Sequence, residues 1–171
     1  MLALVVAVPA LGLPLCHSVP RSRLGILTAM GRYGFLDEIA VADYALEVVG
    51  GDLSDLFETV ARAVAEIMVD PTTIAVTVRR EIRLIAPALD LLLFDWIAEL
   101  VFLKDSEQLI LTETTVTATT PPACRLIAQV TGGRIDRART ILRADVKAPT
   151  LHLFAVEPVA EGWRARIVLD V

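Results

Sequence analysis

The chain has 171 residues, 55% of them hydrophobic, and a formal net charge of −5. That length suits one domain with a full core of helices and sheet, and the acidic balance argues against binding nucleic acid through bulk basic charge. Two cysteines, Cys16 and Cys124, make neither a disulfide framework nor a metal-ligand spacing and fit a reducing cytosol, and the two histidines, His17 and His152, are too few for a His-rich zinc site.

Met1 to Leu15 is mostly apolar and has the length of a signal-peptide core. No Lys or Arg precedes it, however, and Pro9 and Pro14 interrupt it. Leu15 is too large for the small residue that a lipoprotein cleavage site wants before Cys16. The run also falls short of the roughly 20 apolar residues of a membrane span. The expectation is a non-essential extension over residues 1–32, with export or a docked structural segment as alternatives, and a single globular domain over residues 33–171.

Ala40 to Val49 reads as a strand closed by Gly50-Gly51. Asp52 is then a helix N-cap, with Asp55 three residues on as an acidic variant of the capping box. Leu53, Leu56, Phe57, Val60, Val64, Ile67 and Met68 recur at helical spacing, and Asp70-Pro71 ends the helix. Strand alternation follows over Ile74 to Ile85. Pro87 suits a first helical turn, and a second helix runs to about Leu103 around Leu92, Leu93, Trp96, Ile97 and Leu100. Lys104 to Glu107 reads as a polar turn.

Leu109 to Thr120 and Arg125 to Val130 read as strands around a Pro121-Pro122 loop, and Thr131-Gly132-Gly133 as a turn. Leu142 to Val156 holds one or two strands broken or bent at Pro149, and Trp163 to Asp170 is the last. Two helices among about six strands with short connections give an α+β fold, the helices packed on a largely antiparallel sheet layer.

Enzyme signatures are scarce. The sequence has no Gly-rich phosphate loop before a helix and no nucleophile elbow, and Cys124 reads as a small buried side chain. Asp43 breaks the apolar run Ile39 to Ala42, either because it starts a turn and faces water or because its carboxylate has a task. Lys147 and His152 each alternate with apolar neighbours, as residues on the wet face of a strand do. At the other end, Asp170 is followed at once by Val171 and a terminal carboxylate. Either Asp170 is an exposed residue on an edge strand, or two ordered carboxylates repel and favour a hard cation between them.

The strings Phe35 to Asp43, Asp52 to Pro71, Phe94 to Asp105 and Asp145 to His152, with the closing Asp170-Val171, resemble the archease family in the family's order over about residues 34–171. The Val146-Lys147-Ala148-x-Thr150-x-His152 string and the closing Asp-plus-aliphatic pair are the specific parts. The resemblance implies an accessory activator of the RtcB-type RNA ligase of tRNA splicing and RNA repair. Such a helper is no enzyme itself, promotes guanylylation of the ligase and so supports multiple turnover. It also implies a metal site on Asp43, Asp170 and the carboxylate of Val171. Where archeases commonly have His-Thr-Ala-Asp, this chain has Ala40-Val41-Ala42-Asp43, so the aspartate stands without the histidine and threonine. Asp37 and Glu38 are candidate substitutes, and Asp105, Lys147 and His152 are further supporting residues.

Oxygen-only ligation favours Ca²⁺, Mg²⁺ or Mn²⁺ over Zn²⁺. The expected partner is the ligase, with RNA met only indirectly, no membrane, and a cytoplasmic location. Two competing readings are a metal-dependent phosphoesterase with His152 as acid or base, and a chaperone-like adaptor whose metal is structural.

Overall fold

The computed structural model describes residues 30–36 and 43–171. They form seven strands and two helices: β1 (Arg32–Phe35), β2 (Tyr44–Gly50), α1 (Leu53–Met68), β3 (Val78–Ala86), α2 (Leu89–Glu107), β4 (Leu109–Thr119), β5 (Cys124–Arg134), β6 (Ala148–Val159) and β7 (Gly162–Asp170). The strands make two sheets, ordered β1-β2-β7-β6 and β3-β5-β4. Every pairing is antiparallel. The expected α+β fold with two helices on antiparallel sheet is therefore the observed one.

Local chemistry explains α1. The Asp52 carboxylate accepts from the Asp55 amide at 2.8 Å, and the Asp55 carboxylate accepts from the Gly51 amide at 2.8 Å, so orphan donors of the first turn are satisfied reciprocally. Leu56, Phe57, Val60 and Val64 are fully buried on its inner face. The Asp70 carboxylate then caps a 3₁₀ turn at Pro71–Thr73, accepting from the Thr72 amide at 3.1 Å. That turn delays β3, which begins at Val78 rather than at the expected Ile74.

The helices join the sheets. Helix α1 packs mainly on β4 and β2, and α2 on β6, β3 and β4. Trp96 is fully buried and its indole Nε1 donates to the Phe57 carbonyl at 3.2 Å, so one side chain fixes α2 against α1. Burying Trp96 or Phe57 contributes about 1.5–3 kcal/mol each by removing apolar surface from water. The free edge of β4 is closed by α1: Glu58 accepts from the Val116 amide at 2.7 Å, and Ser54 Oγ from the Ala118 amide at 3.2 Å.

Four expectations are corrected. Helix α2 starts at Leu89 after an Ala88 N-cap, and it continues through the expected polar turn to Glu107. It stops at Gln108, whose left-handed backbone (φ 52°) ends the hydrogen-bonding run. Gly132 and Gly133 form no turn but lie inside β5, where Gly132 pairs with both Val78 and Leu111. A Cβ on Gly132 would sit 2.1 Å from the Ile110 carbonyl oxygen, so the glycine serves close backbone approach. The strand expected from Ala40 begins at Tyr44 among the described residues, with Asp43 in a bend just before it.

The boundary expected between residues 32 and 33 falls inside β1, where Arg32 pairs with Val49. Gly31 is held as well: its amide donates to Asp55 at 3.1 Å, and its carbonyl accepts from Arg62 at 2.5 Å. Residues 1–29, which carry the apolar run, Cys16 and His17, lie outside the described residues.

Candidate metal centre

Strand order brings the two ends of the domain together. Tyr44 of β2 pairs with Leu169 of β7, and Ala148 of β6 pairs with Asp170. The β2–β7 pairing ends at Tyr44 opposite Leu169; Asp43 follows in a bend just before β2, at the end of the sheet where β7 reaches Asp170. Side chains alternate along a strand, so Asp170, Val168, Thr150 and Ala45 share one face. Ala45 and Val168 are buried there, whereas Asp43 is exposed and Asp170 half-buried.

The end of the sequence is held in place. The Lys147 amide donates to the Asp170 carbonyl at 2.8 Å, continuing the β6–β7 ladder, and Lys147 Nζ donates to the main-chain oxygen of Val171 at 2.8 Å. The Val171 side chain packs against the core, as does Tyr44. Asp170 thus sits on a central strand, between β2 and β6, and not on an edge. Asp170, Val171 and Lys147 meet at one end of the four-stranded sheet, the end at which Asp43 leads into β2.

A second charged group lies beside it. Lys104 Nζ donates to the Val146 carbonyl at 2.8 Å and meets the carboxylates of Asp105 at 2.8 Å and Asp145 at 2.5 Å. Burial alone would lower the Lys104 pKa, but hydrogen bonds to the two aspartates outweigh it and raise it. The Lys104 hydrogen bond, then its charge, hold Asp145 below the ordinary carboxylate value. Asp105 and Asp145 are therefore already engaged by an ammonium group.

His152 belongs to a bulge of β6. The β6–β7 register slips between Thr150 and Ala155, which extrudes Leu151, His152 and Leu153 to solvent with Leu153 left-handed at φ 54°. His152 is exposed in that bulge. Asp37 and Glu38, with Ala40 and Val41, lie outside the described residues. Among the described residues no three His, Cys, Asp or Glu side chains cluster as a metal site.

Sequence reasoning passed over Thr150 except as part of a string. Its Oγ is buried with no hydrogen-bond partner among the described residues, on the same sheet face as Asp170. A lone β-branched threonine in a strand carries no sequence signal for such a role, because only the cross-strand pairing places it.

A cleft of about 420 Å³ opens on the charged group around Lys104, lined among others by Lys104, Gln108, Arg137, Arg143 and Asp145. Neither Asp43, Asp170 nor His152 lines it. No helix among the described residues is long and apolar enough to cross a membrane.

Comparison with known proteins agrees with the architecture. A family model described as the archease protein family (MTH1598/TM1083) matches residues 33–171. Protein archease of Methanosarcina barkeri is 28% identical over 142 residues, covering 82% of this chain and 96% of the relative. That of Archaeoglobus fulgidus is 29% identical over 140 residues, covering 82% and 99%. Among solved structures, protein 1598 of Methanobacterium thermoautotrophicum superposes with TM-score 0.66 at 23% identity, covering 83% of this chain and 99% of that one. An archease from Thermotoga maritima, described as a possible chaperone, gives TM-score 0.54 at 17% identity, covering 77% and 93%. At those identities the structures speak for the fold, and the family match runs from Tyr33, within β1, to Val171: this chain belongs to the archease protein family.

Proposed function

We propose that this protein is a non-catalytic activator of an RtcB-type RNA ligase, acting in the cytoplasm in tRNA splicing or RNA repair. It would promote metal-dependent guanylylation of the ligase through a divalent ion held by Asp43, Asp170 and the α-carboxylate that Val171 carries as the last residue of the sequence. The observation that supports the reading is that Lys147 holds Asp170 and the Val171 oxygen at the end of the four-stranded sheet where Asp43 leads into β2.

The donors suit a hard cation. All are carboxylate oxygens, and the Val171 oxygen already accepts from the Lys147 ammonium group. Such an ion would offset the negative charge that builds up on phosphoryl oxygens during nucleotidyl transfer. The chain's own part is to hold carboxylates on a rigid strand end, with Lys147 limiting their repulsion before the ion arrives.

The phosphoesterase reading draws less support, because His152 projects from the β6 bulge and the 420 Å³ cleft lacks all three of its residues. The adaptor reading has the possible-chaperone description of the Thermotoga relative on its side. The test is to add the purified protein to its cognate ligase with GTP and Ca²⁺, Mg²⁺ or Mn²⁺ and follow covalent guanylate on the ligase. Activation predicts a faster reaction with substoichiometric protein; no change in rate with any of the ions ends the reading.

A further inference from the structure

Helix α2 and β6 run alongside each other in opposite directions. Lys104 meets the Val146 carbonyl at one end, and the rings of Phe94 and Phe154 stack edge-to-face at 5.8 Å at the other. Between those points the surface is apolar and open. Phe102 is 59% exposed, Leu151 66% and Leu153 47%, with Leu91 at 39% toward the start of the helix. Leu91, Phe94, Ala98 and Phe102 follow helical spacing, so they form a stripe rather than scattered exceptions. Contiguous apolar surface of this kind marks association sites on soluble domains.

The bulge adds a second, independent sign. Pairing slips so that four residues of β6, from Leu151 to Phe154, stand against Ile167 alone. Two leucines are turned outward, and Leu153 takes a left-handed backbone that costs a leucine about 1–2 kcal/mol. A regular strand would bury or pair those residues without that cost. Strain kept at an exposed site is most simply explained by what the site contacts.

Charge says what kind of partner fits. Asp95 is exposed beside Phe94, and Asp105 and Asp145 are exposed at the far end of the ridge. Lys104 stands against the last two and Lys147 adds its charge at Asp145, so three aspartates face two lysines on a chain of net charge −5. We infer that the α2–β6 ridge docks into an apolar socket ringed by Lys and Arg on the ligase, at the mouth of its nucleotide site. This rests on the function proposed above: an enzyme that handles GTP and RNA presents a cationic mouth. Val146 and Lys147 connect the ridge directly to the Asp170–Val171 tip, so docking there delivers the carboxylates to that mouth.

The test measures affinity and stimulation separately, using the full chain, the cognate ligase, GTP and Mn²⁺. Immobilised ligase reports binding, and covalent guanylate reports stimulation as a function of activator concentration. Phe102→Gln, Leu151→Gln and Asp95→Lys should each weaken binding and raise the half-saturating concentration by about tenfold or more, with the plateau rate kept. Ile85→Gln, an equally exposed apolar residue on β3 (67%), should change neither. Leu153→Asn, which tolerates the left-handed backbone, should melt higher than the parent and yet bind more weakly.

Equal binding by the parent and the three ridge variants overturns the ridge and leaves the activator reading intact. Binding that is lost in the variants, from a parent that never stimulates guanylylation, supports the ridge and ends the activator reading. A parent that binds no ligase overturns both. Sedimentation distinguishes other occupants: a dimer that Phe102→Gln dissociates, or a ridge freed only by removing residues 1–29, means the chain covers itself and overturns the proposal.

Discussion

Lys147 Nζ lies 2.8 Å from the main-chain oxygen of Val171, while the Lys147 amide holds the Asp170 carbonyl at the same distance. The residue just before β6 therefore orders Asp170, the last residue of β7, and Val171 after it, and places a positive charge among their oxygens. In the proposed centre, a divalent ion and the ammonium group compete for the Val171 oxygen. Lys147→Gln should bind Ca²⁺ or Mn²⁺ severalfold more tightly by calorimetry, and its fold stability should fall by only about 1 kcal/mol or less, since the pair is exposed. Weaker metal binding in that variant would make Lys147 a positioning residue for the site.

Gly132 offers a test of the corrected β5. Its missing Cβ leaves room for the Ile110 carbonyl 2.1 Å away, backbone that cannot swing aside. Gly132→Ala should cost about 2–4 kcal/mol in urea unfolding. A loss below about 0.5 kcal/mol would return Gly132 to the turn expected from its sequence neighbours.

The β4 edge depends on two side chains from α1. Removing both acceptors with Ser54→Ala and Glu58→Ala frees the amides of Ala118 and Val116. Each lost bond should cost about 1–2 kcal/mol, and the opened edge should promote aggregation on heating, followed by light scattering. Reversible, clear melting at an unchanged temperature would show that the helix covers the edge without needing those bonds.

Tyr33 gives a pH signature. Burial first, then its hydrogen bond to Glu66 and that carboxylate's charge, push the phenol up to about 12. A phenol raised above its unfolded value of about 10 stabilises the fold fully below pH 10. That contribution is lost as pH rises from 10 through 12. The melting temperature of the parent should fall more steeply over that window than that of Tyr33→Phe; parallel curves would mean that the phenol is not held by α1.

Sequence and structure agree most closely where the determinants are local. Asp52 and Asp55 announce α1 because capping is settled within four residues. Strand β1 escaped the reading because Arg32–Phe35 is four residues long, largely exposed, and acquires its partner only from β2. Gly132 misled for a related reason, since what it must accommodate is the distant Ile110 backbone. Leu151-His152-Leu153 alternates like a strand, but the slip against β7 turns all three outward. Of the candidate site, Asp43, Asp170 and Val171 could be picked from sequence as misfit carboxylates and a family-like ending. Thr150 and the grip of Lys147 on Val171 came only with strand pairing.

The most direct measurement of the central claim, that Asp43, Asp170 and Val171 act as one metal centre, is ligase guanylylation at limiting Mn²⁺. The assay compares the parent with Asp43→Asn, Asp170→Asn and a chain lengthened by one alanine after Val171. The extension moves the terminal carboxylate by about 3.3 Å along the strand and removes no core side chain, so the fold should stay intact by circular dichroism. All three variants should lose stimulation to a similar degree, and added Mn²⁺ should restore part of it in the extended chain by mass action. Stimulation equal to the parent's by the extended chain at limiting Mn²⁺ would contradict the assignment of the Val171 carboxylate as a ligand.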